Sequence, residues 1–194
     1  MKLYYSPGAC SLADHIALHE SGLHFEHEKV DLKAKRTQDG VDFTTINPKG
    51  YVPALVLDSG ETITENIAIL DWVAHQESSL KPSGPLGHTH LLMALAYIST
   101  EIHKQFKPFF AGGSDDEKAK AGAMILKRMH YLADTMQGEY LFGSTVSVAD
   151  FYLFVMMLWA KKNNLEVPTK LTTFRDQLME RPSVKKAMAH EGLV

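Results

Sequence analysis

The only cysteine of the chain, Cys10, stands where a strand pattern gives way to a helix pattern. Residues 2–5 alternate as a short strand, Pro7-Gly8 breaks the strand, and apolar helical spacing begins at Ser11. The first turn of a helix has unpaired N–H groups and the positive end of the helix dipole, which lower the pKa of a cysteine toward the thiolate. Strand, turn and helix together predict a reactive thiol instead of a small buried hydrophobic residue.

The residues that follow Cys10 limit how its thiol can react. Ser11 and Asp14 have the S-x-x-D spacing of a capping box. The helix is therefore expected to begin at Ser11, with Cys10 at its N-terminus. A redox pair of the C-x-x-C type would need a second cysteine where this chain has Ala13. An internal disulfide is therefore excluded, and the thiol can only pair with, or assist, a sulfur brought in from outside.

The composition of the 194 residues is that of a globular protein, since 45% are hydrophobic, enough for one large domain or two modest ones. The net charge of -3, with interspersed signs, provides no basic surface, so nucleic acid is not expected as a partner. No apolar run reaches the length of a membrane span. Together with the unpaired cysteine, which suits a reducing compartment, this predicts a cytoplasmic protein without a membrane partner.

The first half of the chain alternates strand and helix patterns. A second strand at residues 25–32 follows the cysteine helix, which predicts a β-α-β unit whose two strands are parallel. Residues 51–63 contain two apolar runs separated by Asp58-Ser59-Gly60, which is typical of a β-hairpin. Another helix follows this hairpin, with Thr64 as its expected N-cap.

The second half shows only helical periodicity after a linker rich in proline and glycine at residues 76–90. Its predicted helices span residues 91–110, 117–136, 148–162, 171–180 and 182–190. Ser147 and Asp150 form a capping box that opens the most apolar of these helices. We therefore expect an α/β N-terminal domain at residues 1–77 and an all-α C-terminal domain at residues 88–194.

Six motifs along the chain carry information beyond their periodicity. They are Tyr-Ser-Pro-Gly-Ala-Cys-Ser-Leu-Ala at 5–13, Val-Asp-Leu at 30–32 with Lys35, Asn-Pro-Lys-Gly-Tyr-Val-Pro-Ala-Leu at 47–55, Thr-Glu-Asn-Ile-Ala-Ile at 64–69, Thr-Glu-Ile-His-Lys at 100–104 and Ser-Val-Ala-Asp at 147–150. In this order and at these intervals they resemble bacterial beta-class glutathione S-transferases over essentially the whole chain. The resemblance implies a thioredoxin-like N-terminal domain that binds glutathione, an all-helical C-terminal domain that supplies most of the pocket for a small hydrophobic electrophile, and a homodimer.

The same resemblance assigns the glutathione contacts of the first domain. Pro53 would be cis, which leaves the backbone N–H and C=O of Val52 to pair with the cysteinyl backbone of the tripeptide. Glu65 would bind the amino group of glutathione, Asn66 and the helix N–H groups its γ-glutamyl carboxylate, and Lys35 its glycyl carboxylate. Many members of the family have serine at the position of Asn66.

His103 is the second catalytic candidate beside Cys10. On its own, a histidine within a helix is usually only a partly exposed residue. One predicted helical face comprises Ala96, Ser99, His103 and Phe106. The resemblance implies that this face is directed toward the thiol, and it also places Thr100 and Lys104 in the glutathione site. The family often has asparagine at the position of Ala96.

His15 and His19 lie one helical turn apart, a spacing that can hold zinc. The chain has no His-Glu-x-x-His motif, and the nearest approach, at residues 19–24, is too long by one residue and interrupted by Gly22. We therefore interpret both histidines as a solvated helix edge and expect no metal.

Three functions are compatible with these features. In the first, a detoxifying enzyme stabilises the thiolate of glutathione with donors around Cys10 and His103, and this thiolate attacks an electrophile. In the second, Cys10 works as a monothiol disulfide reductase through a mixed disulfide with glutathione. In the third, the protein binds glutathione or another ligand without turnover.

Overall fold

The computed structural model describes all 194 residues, and they form two compact units. The first unit comprises Met1–Ser78 together with Glu180–Val194, and the second comprises Ser79–Met179. The helical domain predicted over residues 88–194 stays a prediction, while Glu180–Val194 packs within the first unit. The last residues belong to the first unit because the final helix packs on the cysteine helix.

A five-stranded sheet with the order β3-β2-β1-β4-β5 forms the centre of the first unit. Its strands are β1 (Lys2–Tyr5), β2 (Glu26–Asp31), β3 (Arg36–Thr37), β4 (Ala54–Val56) and β5 (Thr62–Thr64). β1 and β2 are parallel, and β4 and β5 form an antiparallel hairpin, so both of these predictions are confirmed.

Eight α-helices complete the chain. They are α1 (Ser11–Glu20), α2 (Asn66–Gln76), α3 (Gly87–Tyr97), α4 (Lys107–Phe110), α5 (Asp115–Thr135), α6 (Val148–Lys162), α7 (Thr169–Met179) and α8 (Pro182–His190). α1, α2 and α8 belong to the first unit, and the other five belong to the second. None of the helices combines the length and hydropathy that crossing a lipid bilayer requires.

α1 begins at Ser11, as predicted, but without the predicted capping box. Cys10 is the N-cap residue, and its side chain makes no capping hydrogen bond. The Ser11 hydroxyl accepts from the Ser6 N–H at 3.2 Å, and the Asp14 carboxylate accepts from the Asn66 amide at 2.7 Å. The prediction that Ser11 and Asp14 cap the helix together is wrong because both buried side chains bind neighbouring segments instead.

The C-terminal segment is attached to α1 at two places. At the end of α1, the Glu20 carboxylate accepts from the Arg181 guanidinium and from the Ser183 hydroxyl. Further back, Glu191 Oε1 lies 3.0 Å from His15 Nδ1, and the His15 side chain is completely buried. The prediction that His15 lies on a solvated helix edge is therefore wrong, since the C-terminal segment covers that side of α1.

In the second unit, residues 91–110 do not form the single helix predicted for them. α3 ends at Tyr97, a π turn follows at Ile98–Ile102 and a 3₁₀ turn at His103–Phe106, before α4 begins. Because a π turn contains more residues than an α turn, it shifts every later side chain around the axis. The ends of the predicted common face differ in environment, since Ala96 is exposed and Phe106 is buried.

α6 is the most completely buried helix of the second unit. The capping box predicted at its start is confirmed, since Asp150 Oδ2 accepts from the backbone N–H and the hydroxyl of Ser147 at 2.8 and 2.6 Å. Asp150 Oδ1 also accepts from the Leu141 N–H at 2.8 Å. One buried carboxylate thus fixes both the start of α6 and the preceding loop.

Candidate active site

Cys10 lies at the point where β1 leads into α1, and its side chain is partly buried. Its Sγ is 3.9 Å from the Val52 carbonyl oxygen. Val52 is buried and precedes Pro53 through a cis peptide bond, as the resemblance implies. The thiol and the backbone expected to bind the cysteinyl part of glutathione are therefore adjacent.

The ionisation of Cys10 differs from the prediction. Burial, helped by the negative charge of Asp14, raises the pKa of the thiol to about 12, although the backbone N–H groups of Ser11 and Cys10 favour the thiolate. The prediction of a lowered pKa is wrong because desolvation of the sulfur outweighs the field of the helix terminus. Near neutral pH, Cys10 is a protonated thiol, which donates a hydrogen bond and is a poor nucleophile.

Glu65 is the N-cap residue of α2, and Thr64, the predicted N-cap, is the last residue of β5. The backbone of Glu65 has φ 76°, a conformation that non-glycine residues rarely adopt. Such conformations are concentrated at ligand-binding sites. The exposed carboxylate of Glu65 accepts hydrogen bonds from the Lys49 ammonium group and from the Tyr51 hydroxyl, which together lower its pKa. Glu65 is therefore held as a carboxylate at the surface.

Asn66, the first residue of α2, is buried, and its amide is used inside the chain. Its Nδ2 donates to the Cys10 carbonyl oxygen at 2.9 Å and to Asp14 Oδ2 at 2.7 Å. Burial raises the pKa of Asp14 well above its usual range. Because both amide hydrogens are engaged, the Asn66 side chain ties the starts of α1 and α2 together, and only the backbone N–H groups of α2 remain to bind a carboxylate there.

Lys35 lies in the loop before β3 and adopts a left-handed backbone conformation with φ 55°. Its Nζ donates to the Gly50 carbonyl oxygen at 2.6 Å. The ammonium group is thereby fixed two residues before Val52 and provides a positive charge beside the loop that leads to Pro53.

His103, in the second unit, lies directly after the π turn. Its Nδ1 is 2.6 Å from the Tyr152 hydroxyl, and the Trp159 ring packs edge-on at 5.0 Å. Burial, with a smaller effect of the Lys104 charge, lowers the pKa of His103 to about 4. The imidazole is therefore neutral near pH 7. Phe106 and the half-exposed Phe110 also pack against Trp159 and extend an aromatic surface from His103.

Thr100 precedes His103 in the sequence and Lys104 follows it, and both side chains are exposed. The Thr100 hydroxyl donates to the Ala96 carbonyl oxygen at 2.9 Å, within the helical backbone. The positive charge of Lys104 contributes to the lowered pKa of His103.

Two models of the glutathione S-transferase family match the chain, the N-terminal domain at residues 9–76 and the C-terminal domain at residues 100–191. Glutathione S-transferase GstA of Escherichia coli O157:H7 is 40% identical over 200 aligned positions that cover all of both chains. The chain belongs to the glutathione S-transferase family. It is a transferase of the bacterial beta class, as solved structures bear out.

Two of these structures align with this chain over its full length and over their own full length. The beta-class glutathione S-transferase of Sphingomonas chungbukensis is 43% identical with a TM-score of 0.91. A glutathione S-transferase of a sphingomonad, complexed with glutathione, is 44% identical, also with a TM-score of 0.91.

In the first unit of this transferase, the predicted site residues form one connected group. Asn66 reaches the Cys10 carbonyl, the Cys10 thiol faces Val52, and Glu65 adjoins Asn66. Lys35 approaches the same loop through Gly50. His103, Thr100 and Lys104 form a second group within the helical unit, near Tyr152 and Trp159.

Three residues that contact the candidate site residues of this glutathione S-transferase were not predicted from the sequence: Lys49, Tyr51 and Tyr152. The first two lie in the Asn-Pro-Lys-Gly-Tyr turn, where a cation and a hydroxyl two residues apart could have indicated partners for a carboxylate. Tyr152 gave no such signal, because the apolar residues around it are typical of core packing.

Proposed function

We propose that this transferase conjugates glutathione to small hydrophobic electrophiles. The thiol of glutathione loses its proton to solvent, and the resulting thiolate forms a sulfur–carbon bond with the electrophile as the leaving group departs with its electron pair. The observation that carries the proposal is the position of the Cys10 thiol at the N-terminus of α1, with Sγ 3.9 Å from the Val52 carbonyl oxygen. Its raised pKa keeps this thiol protonated. A neutral donor at this position stabilises an incoming thiolate without competing with it as a nucleophile.

Glutathione binding is assigned to the first unit. Val52 N–H and C=O would pair with the cysteinyl backbone, and the α2 N–H groups would receive the γ-glutamyl carboxylate. The Glu65 carboxylate would bind the amino group, and Lys35 the glycyl carboxylate. The complex of a 44% identical sphingomonad transferase with glutathione supports glutathione as the ligand.

His103 is proposed as a second donor to the thiolate. If the Tyr152 hydroxyl donates to Nδ1, the proton of the neutral imidazole lies on Nε2, which can then donate to sulfur. The aromatic surface of Phe106, Phe110 and Trp159 is proposed as a wall of the electrophile pocket. Thr100 and Lys104 are proposed to support glutathione from the same turn.

The Cys10→Ser variant separates conjugation from disulfide reduction. It keeps a donor at the start of α1 but removes thiol-disulfide chemistry. We expect the rate of conjugation of a chloronitrobenzene to stay within about tenfold of wild type. This change corresponds to the free energy of roughly one hydrogen bond. Any glutathione-dependent reduction of a small disulfide should be lost.

Two other results would contradict the conjugation mechanism. If both activities vanish together and mass spectrometry finds a glutathione adduct on wild-type Cys10, the protein works as a monothiol reductase. If wild type binds glutathione but turns over neither substrate, it is a binding protein.

We also propose a cytoplasmic homodimer with a role in detoxification. In the second unit, a largely apolar groove runs along α3 and α5 and is lined by His90, Met93, Ala94, Tyr97, Tyr131, Leu132, Thr135, Gln137, Leu141 and Phe142. Met93 is 63% exposed and Tyr131 54%. Large apolar side chains exposed together in this way are typical of protein interfaces, which supports a second copy of the chain as the partner.

A further inference from the structure

Four histidines of the first unit lie together outside the glutathione site. His15 and His19 come from α1, His27 from β2 and His190 from the end of α8. A ring nitrogen of each of His15, His27 and His190 lies within 4.8 Å of those of the other two. His19 Nε2 lies 3.3 Å from His190 Nδ1. Four imidazoles from three separate elements therefore converge on one place.

His15 is the fixed member of this cluster. Its side chain is completely buried, its Nδ1 lies 3.0 Å from Glu191 Oε1, and its Nε2 has no hydrogen-bond partner. The other Glu191 oxygen accepts from the Gly8 N–H at 2.8 Å, which holds the carboxyl group in place. A buried polar atom without a partner is costly, so the free Nε2 needs an explanation.

Glu191 provides the orientation that a metal-binding histidine requires. Histidine ligands usually donate their second ring N–H to a carboxylate, which fixes the tautomer and raises the basicity of the binding nitrogen. With Glu191 ionised when the metal binds, His15 Nδ1–H would donate to its carboxylate, and the lone pair of His15 would lie on Nε2, which has no hydrogen-bond partner. His27 and His190 are less buried than His15, and their rings stack with centroids 4.4 Å apart.

Two ionisable groups near the cluster act on a cation in opposite ways. The ammonium group of Lys186 opposes it. Burial raises the pKa of Glu191 to about 8, so metal binding at His15 would release the Glu191 proton and leave a carboxylate that favours the cation.

We propose that His15, His27 and His190, with His19 as the fourth ligand, form a binding site for a late first-row divalent cation such as Zn²⁺. Imidazole nitrogens suit zinc, nickel and copper, and four of them complete a tetrahedral zinc site. Bonds of about 2.0 to 2.1 Å would bring neighbouring nitrogens to roughly 3.3 Å from one another. The His19–His190 pair already has this separation, and the nitrogens of His15, His27 and His190, which lie within 4.8 Å of one another, would move closer on binding.

Such a site would join the C-terminal segment to the sheet and to α1. His190 ends α8, whereas its partners belong to β2 and α1. Because the unfolded chain does not preform the site, metal binding would stabilise the folded unit. This inference does not depend on the proposed conjugation, and its test contains no glutathione.

The test uses the untagged full-length protein after treatment with a chelator. Calorimetric titration with Zn²⁺ should give one site per chain, and saturation should raise the melting temperature. Co²⁺ as a probe should give the visible absorption of a tetrahedral ion without the thiolate charge-transfer band that ligation by Cys10 would add. The His27→Gln and His190→Gln variants should each lower the Zn²⁺ affinity by at least tenfold.

Two control variants remove exposed histidines outside the cluster, His24→Gln and His130→Gln, and both should bind Zn²⁺ as wild type does. Glu191→Gln, checked for folding by circular dichroism, should weaken binding by about 10- to 100-fold through the lost support of His15. The proposal is overturned if wild type fails to saturate at one ion per chain. It is equally overturned if the His27→Gln/His190→Gln double variant retains the wild-type affinity, or if the loss occurs in a control variant instead.

Discussion

At the scale of single residues, the same side-chain chemistry has different roles according to its surroundings. Glu65 is exposed, paired with Lys49 and Tyr51, and ionised, whereas Glu191 is buried and its pKa is raised to about 8. Cys10 follows the same rule, since burial raises the pKa of its thiol to about 12 and keeps it protonated. Burial and partners therefore decide what each of these groups can do.

The Glu65→Gln variant tests the proposed contact with the amino group of glutathione. A charge-assisted hydrogen bond would become a neutral one, so we expect the Kd for glutathione to rise by about tenfold to hundredfold. Glu61→Gln, at an exposed position of the preceding hairpin, is the matched control and should leave the Kd unchanged. Equal affinities of Glu65→Gln and wild type in a calorimetric titration would remove Glu65 from the site.

His103 gives a prediction for the dependence of conjugation on pH. With its pKa lowered to about 4, the imidazole protonates only well below neutrality and stays a neutral donor from pH 5 to pH 8. The profile of kcat/KM in this range should therefore show no inflection from His103. His103→Gln should lower kcat/KM by roughly tenfold, which corresponds to the free energy of one hydrogen bond. The shape of the pH profile should not change. An inflection near pH 6.5 that disappears in the variant would contradict this mechanism.

At the scale of elements, buried carboxylates and irregular turns set the positions of helices. The π and 3₁₀ turns between α3 and α4 place His103 on Tyr152, which a regular helix over the same residues would not do. At the start of α6, Asp150 combines a helix cap with a loop anchor. Both features shape the second unit before any ligand is bound.

The Asp150→Ala variant tests this structural role. It leaves the buried N–H groups of Leu141 and Ser147 without their acceptor, so we expect a loss of about 2 to 4 kcal/mol in the free energy of unfolding. The matched control is Glu117→Ala, which breaks the capping box of Ser114 at the exposed start of α5 and should cost clearly less. Urea denaturation measures both. A change in glutathione affinity without a change in stability would show that Asp150 acts in the site instead.

At the scale of the whole molecule, the groove along α3 and α5 predicts the oligomeric state. Wild type should have twice the mass of one chain in light scattering at working concentration. Met93→Glu places a charge in the groove and should shift the protein toward the monomer, because a buried unpaired charge opposes association. Met124→Glu, an exposed substitution outside the groove, is the control and should remain dimeric. A monomeric wild type would refute the proposed homodimer.

The sequence by itself determined the elements that local patterns encode. Alternation and helical periodicity predicted the parallel β1–β2 pair, the β4–β5 hairpin and the start of α1 at Ser11. The capping box of α6 was equally predictable, because its two side chains are only three residues apart. The ordered motifs also identified the family, since their residue types and intervals are properties of the chain alone.

Only the tertiary structure decided the contacts and ionisation states that depend on distant segments. Glu191 meets His15 across 176 residues, and Asn66 meets Asp14 across 52. Neither contact leaves a periodic signal, because the partners lie in different elements. The Cys10 prediction failed for the same reason: a helix terminus is visible in the sequence, but desolvation of the sulfur depends on everything that packs around it.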